Sequence, residues 1–107
     1  MLTHIVFFKL TDRTPENIQK LREVLLSMTG HIPQIKHMEV GVNVVPSERA
    51  YDIALFQHFD SLRDLQEYQA HPNHQDVLKY ILSVTASRVS VDYEVESPHS
   101  LNLVNAV

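Results

Sequence analysis

The sequence contains no cysteine and only two glycines, Gly30 and Gly41. Without cysteine there is no disulfide scaffold, no thiolate nucleophile and no cysteine-based zinc site. Two isolated glycines cannot build a Walker or Rossmann phosphate loop, so nucleotide binding by those routes is excluded. No apolar run approaches the roughly 20 residues of a membrane span, and no basic segment precedes the short apolar run at the amino terminus. A cytoplasmic protein with no membrane partner is therefore expected. A basic footprint is also missing: 9 Lys and Arg, scattered singly, stand against 13 Asp and Glu, for a formal charge of −4. That balance argues against a nucleic-acid partner.

What is present fits one domain. A chain of 107 residues, 44% hydrophobic, has room for a single core. Residues 1–96 are expected to form it, with 97–107 as a tail set off by Ser97-Pro98. Leu2 to Leu10 alternate as a strand with apolar residues on both faces. Thr14-Pro15 reads as an N-cap followed by proline at the first helical position. Ile18, Leu21, Val24, Leu25 and Met28 keep the spacing of a buried helix face, and Gly30 supplies the stop. Alternation then predicts a strand from His37 to Val44, a polar turn through Pro46-Ser47-Glu48-Arg49, and an antiparallel strand from Ala50 to Phe59. Ser61 to Asp64 open a second helix that Pro72 interrupts; a further helical piece carries Val77, Leu78, Ile81 and Leu82. Val89, Val91, Tyr93 and Val95 mark a last strand.

The order βαββαβ is the split βαβ plan of ferredoxin-like α+β folds: a four-stranded antiparallel sheet with its helices on one face. The other face is left bare, and Ile5 and Phe7 give it apolar surface. Contiguous exposed apolar surface marks an interface, so a homodimer with its sheets packed face to face is expected. The apolar tail, Leu101 to Val107, is expected on the same interface or exchanged between subunits.

Chemistry concentrates in Tyr68-Gln69-Ala70-His71-Pro72-Asn73-His74-Gln75. Two imidazoles and a phenol meet at the helix break, and all three can move or donate protons near neutral pH. His74 suits a general base that removes a proton alpha to a carbonyl, and Tyr68 suits a donor to the resulting oxyanion. His71 is expected to hold the break by donating to a carbonyl freed by Pro72. His4 lies on an otherwise apolar strand face. His71-x-x-His74 does not hold a helical register across Pro72, so no metal is assigned. His31, His37, His58 and His99 form no constellation and are read as solvated.

With His4-Ile5-Val6-Phe7-Phe8-Lys9-Leu10 and Met38-Glu39-Val40-Gly41, the Tyr68-x-x-His71-Pro72-x-His74 element resembles the stress-responsive A/B barrel domain (Dabb) family over about residues 3 to 95. The resemblance implies a dimeric α+β barrel. Through a plant polyketide cyclase of that family, which makes olivetolic acid, it also implies His74 as general base, Tyr68 as substrate-binding tyrosine and His4 as a pocket histidine. Ile53 stands where that cyclase has a further histidine, which implies a more apolar pocket. His4, Val6, Ile53, Leu55 and His71 are thus the expected substrate-binding residues. The expected ligand is a small apolar or carbonyl compound, with no cofactor. Two functions fit: a cofactor-independent cyclase, lyase or isomerase, or a ligand-binding or structural dimer. A monooxygenase shares the fold but has no supporting residues here.

Overall fold

The computed structural model describes residues 1–95. In chain order it has β1 (Leu2–Leu10), α1 (Pro15–Leu26), β2 (His37–Val42), β3 (Ile53–Phe59), α2 (Leu62–Ala70), α3 (Pro72–Val84) and β4 (Thr85–Glu94). The strands make one sheet in the order β2-β3-β1-β4, with every neighbouring pair antiparallel. This is the ferredoxin-like α+β plan read from the sequence, its second helical segment divided in two. The tail from 97 to 107, with its expected interface role, lies outside the described residues, as does His99.

The helix starts follow local chemistry. Thr14 Oγ1 accepts the Asn17 N–H at 3.2 Å with Pro15 in the first turn, and Ser61 Oγ accepts the Asp64 N–H at 3.1 Å. Each satisfies a donor that the first helical turn leaves orphaned. α1 stops before the apolar periodicity does. The N–H groups of Met28 and Thr29 reach back only three residues, to Leu25 and Leu26, before Gly30 turns the chain at φ 81°. Met28 therefore reaches the core from beyond the helix, at 1% exposure.

The strands around the second turn are shorter than expected. β2 ends at Val42 because Asn43 folds onto Val45, accepting its N–H at 3.2 Å and donating to its carbonyl at 3.0 Å. Val44, expected on the strand face, is 88% exposed. β3 begins at Ile53 instead of Ala50 because the preceding loop is held by a side chain. Arg13 donates to the Ala50 carbonyl at 2.7 Å and the Ser47 carbonyl at 3.1 Å, and it pairs with buried Asp52 at 3.0 Å. Asp52 also accepts the Leu10 N–H at 2.9 Å. β4 starts directly after α3, earlier than its apolar alternation suggested.

Register sorts the side chains into two faces. On the inner face Leu2, Phe8, Leu10, Ile53, Leu55 and Phe59 are buried with Leu21, Leu25, Leu65, Val77 and Ile81 from the helices. Each contributes on the order of 1.5–3 kcal/mol by leaving water. On the outer face Phe7, Val89, Val91 and Tyr93 remain 42–60% exposed. His37 and His58, read as separate solvated residues, meet there across neighbouring strands with ring centroids 5.6 Å apart, and Phe56 lies 4.9 Å from His58.

Candidate functional site

A cavity of about 400 Å³ opens between the inner face of the sheet and the junction of α2 with α3. The junction is the origin of its chemistry. His71 is extended, at φ −65° and ψ 136°, and serves as the C-cap of α2 and the N-cap of α3. Its Nδ1 accepts the Asn73 N–H at 3.1 Å. The imidazole thus holds the break as an acceptor, which corrects the expectation that it donates to a freed carbonyl.

Because Asn73 N–H turns to His71, the Gln69 carbonyl loses the partner a continuous helix would give it. Two other groups take that carbonyl. His74 Nδ1 lies 3.1 Å from it, and the Gln75 side-chain amide donates to it at 2.5 Å. A carbonyl only accepts, so His74 carries its proton on Nδ1 and keeps Nε2 as a free lone pair. Burial lowers the His74 pKa below its ordinary 6.5; the bond to Gln69 opposes that, and positive charge on His4 or His71 adds to it. The base form is therefore the one present at neutral pH.

Tyr68 packs against His74 with ring centroids 4.4 Å apart and is 1% exposed. Burial pushes its phenol up to about 12, against the pull of the Gln57 amide, so it remains a donor. Its partner is the Met28 thioether at 3.8 Å, a weak acceptor. Gln57, fully buried and paired in register with His4, likewise spends its Nε2 on the Met38 sulfur at 3.3 Å and leaves Oε1 without a partner. Polar hydrogen-bonding capacity is thus held in reserve behind the cavity.

His4 is buried, stacks edge-on at 6.2 Å from Tyr68, and pairs through Nδ1 with the Asp92 carboxylate. Asp92 sits directly opposite it on β4. This imidazole–carboxylate pair was not read from the sequence, where Asp92 is one polar residue in an alternating strand; only the register of β4 on β1 brings the two together.

His4, Val6, Leu55, Tyr68 and His74 all line the cavity. Ile53 does not. It is 2% exposed in the core and borders a separate depression with Phe7, Gly41 and Tyr51. His71 also lies outside the lining, behind the junction it caps. Gln69 and Gln75 of the same segment and Leu78 of α3 also line it, as do Arg88 and Ser90, which the sequence did not mark as site residues. Among the described residues no three His, Asp or Glu side chains are grouped to hold a metal ion. No helix among them is long and apolar enough to cross a membrane.

Residues 2–95 match the stress-responsive A/B barrel domain, Dabb. The chain belongs to this family. Among solved structures, a dimeric ferredoxin-like protein of unknown function from Bacteroides fragilis is 35% identical, with 88% of this chain and 95% of that chain covered and a TM-score of 0.76. A second dimeric ferredoxin-like protein of unknown function, from Thermobifida fusca, is 27% identical over 88% and 90% of the two chains, with a TM-score of 0.77. The fold is shared with a hydroxynitrile lyase from Passiflora edulis, 20% identical over 90% and 94%, with a TM-score of 0.76. None of the curated proteins matches this chain. The two dimeric neighbours accord with the uncovered sheet face of this chain.

Proposed function

We propose that this Dabb protein is a cofactor-independent acid–base enzyme of the cyclase, lyase or isomerase kind, acting on a carbonyl compound in the cavity at the α2–α3 junction. One observation carries the reading: the Gln69 carbonyl holds the Nδ1 proton of His74, which leaves Nε2 as a neutral base on a ring that lines the cavity. His74 Nε2 takes a proton from the carbon alpha to the substrate carbonyl. The Tyr68 hydroxyl exchanges its weak sulfur partner for the enolate oxygen, a stronger acceptor. The enolate carbon attacks a second carbonyl of the same molecule, a carbon–carbon bond forms, and the new alkoxide recovers the proton from the His74 imidazolium. Read in reverse, the same steps describe cleavage. His4, oriented by Asp92, is a second imidazole able to relay that proton.

The functional unit is proposed to be a homodimer formed through the outer sheet face, where Phe7, Val89, Val91 and Tyr93 are exposed together. A second reading, a dimer that binds a small ligand without turning it over, draws support from the near-complete burial of Tyr68 in the core. Deuterium exchange at the alpha carbon of a simple beta-keto ester, followed by proton NMR, separates the two. Wild-type protein is expected to accelerate exchange, and His74→Ala to lower that acceleration by about a hundredfold while the dimer persists. Equal exchange with both proteins would leave the ligand-binding reading.

A further inference from the structure

Among the described residues the walls of the cavity contain neither Asp nor Glu, although the chain carries 13 of them and a net charge of −4. Asp92, the carboxylate next to the space, is engaged by His4. Among the described residues Arg88 is the one permanently charged side chain in the lining; it is solvent-exposed and takes part in none of their ion pairs or side-chain hydrogen bonds. By contrast Arg13, the arginine of the β1–α1 loop, makes hydrogen bonds to four residues. Arg88 is also placed against the usual pattern. It faces the cavity side of β4 opposite Phe8, and Ser90 follows on the same face opposite Val6. Val89 and Val91 alternate to the outer face with Ile5 and Phe7, although Val89 also borders the cavity between its two polar neighbours. An inward strand face of arginine and serine over an otherwise acidic molecule makes an anion-attracting wall.

We propose that Arg88, with Ser90, is a substrate-recognition site for a carboxylate, and that the substrate is an oxo-acid whose carboxylate lies several atoms from the reacting carbon. The inference deepens the acid–base reading of the same cavity and rests on it for the reacting end. Strand geometry sets the span. From His4 to Phe8 the sheet advances four residues, roughly 14 Å at about 3.4 Å each, and the flexible Arg88 side chain shortens that reach. Guanidinium accepts a carboxylate as a bidentate partner, with geometric fixing that an ester or a ketone cannot supply. The Ser90 hydroxyl adds a further donor on the same face.

The test uses two probes, 6-oxoheptanoate and its methyl ester, titrated into the full chain and followed by amide and imidazole NMR. The acid is expected to bind at least about tenfold more tightly than the ester. In Arg88→Met that preference disappears while ester affinity is kept, and Arg88→Lys restores part of it. Raising the salt concentration weakens the acid and not the ester. Equal affinity of acid and ester for wild type, a preference that survives Arg88→Met, or binding of neither probe would overturn the carboxylate site. The His74 ring signal reports separately on the reacting end. If the ester shifts that signal and the acid binds no better, the anion inference falls and the base reading stands. If the acid binds through Arg88 without moving His74, the carboxylate site stands and the base reading falls.

Discussion

β3 and β4 flank β1 on its two sides and are patterned in opposite senses. On β3 the inward residues Ile53, Leu55, Gln57 and Phe59 are at most 2% exposed, and the strand alternates buried with half-buried positions along its length. On β4 the inward residues Arg88, Ser90 and Asp92 are polar and exposed, and the apolar ones face away from the helices. One sheet thus has a covered half and an open half. The covered half supplies the core, and the open half supplies a cavity in which a base, a donor and a cation can meet. This βαββαβ chain obtains its cavity by leaving the inward face of its last strand uncovered while the hydrophobic side of that strand turns outward.

The contrast can be broken most severely on β3. Phe59→Ala should cost about 3–5 kcal/mol in urea denaturation, because its ring is wholly enclosed and the cavity left behind cannot collapse. Ser90→Ala, on the inward face of β4, should stay within about 0.5 kcal/mol in the same assay. A result that ranked the two strands alike would remove the distinction between them.

The outward side of β4 is tested by charge. Val91→Glu should raise the dimer dissociation constant about a hundredfold or more, read by analytical ultracentrifugation, because two carboxylates would be desolvated in the paired faces. The protomer should keep its circular dichroism spectrum, since Val91 is 60% exposed within one chain. An unchanged dimer would place the partner surface elsewhere.

Gln57 is the polar exception among the inward residues of β3. Gln57→Leu removes an amide oxygen that has no partner in the core, and it should raise stability by about 1 kcal/mol. A loss of stability would mean that the amide is better satisfied than its contacts indicate.

The smallest expected effect is a pH dependence. With the folded pKa of His74 depressed below 6.5, the unfolded chain takes up its proton first as pH falls. The His74 contribution to stability is therefore complete above 6.5 and declines as pH drops from there through the folded value. His74→Asn should flatten that part of the curve in urea denaturation between pH 5 and 7.5. An unaltered slope would assign the dependence to other groups.

The order of strands and helices was legible because each rests on local rules. Thr14-Pro15 and Ser61 cap their helices as read, and Pro72 divides α2 from α3. Strand ends were less legible. The Asn43 turn and the Arg13–Asp52 clasp are long-range or side-chain devices that alternation does not report, and they shorten β2 and β3. In the cavity, Tyr68 and His74 were visible as a motif, but the direction of the His71 hydrogen bond was not, since it depends on which helix claims the Asn73 N–H. Asp92 and Arg88 were invisible as site residues for a further reason. Their membership follows from β4 lying inverted against β1, a matter of register across some 80 residues of chain.

The proposed chemistry requires His74 to be a neutral base with its lone pair on Nε2, and long-range proton–nitrogen correlation of the histidine rings reads that state directly. At pH 7 a protonated Nδ1 and an unprotonated Nε2 are expected for His74, and the same tautomer in a Gln75→Ala variant, because the Gln69 carbonyl still holds the proton. A proton on Nε2 with Nδ1 bare, or a doubly protonated ring at pH 7, would contradict it.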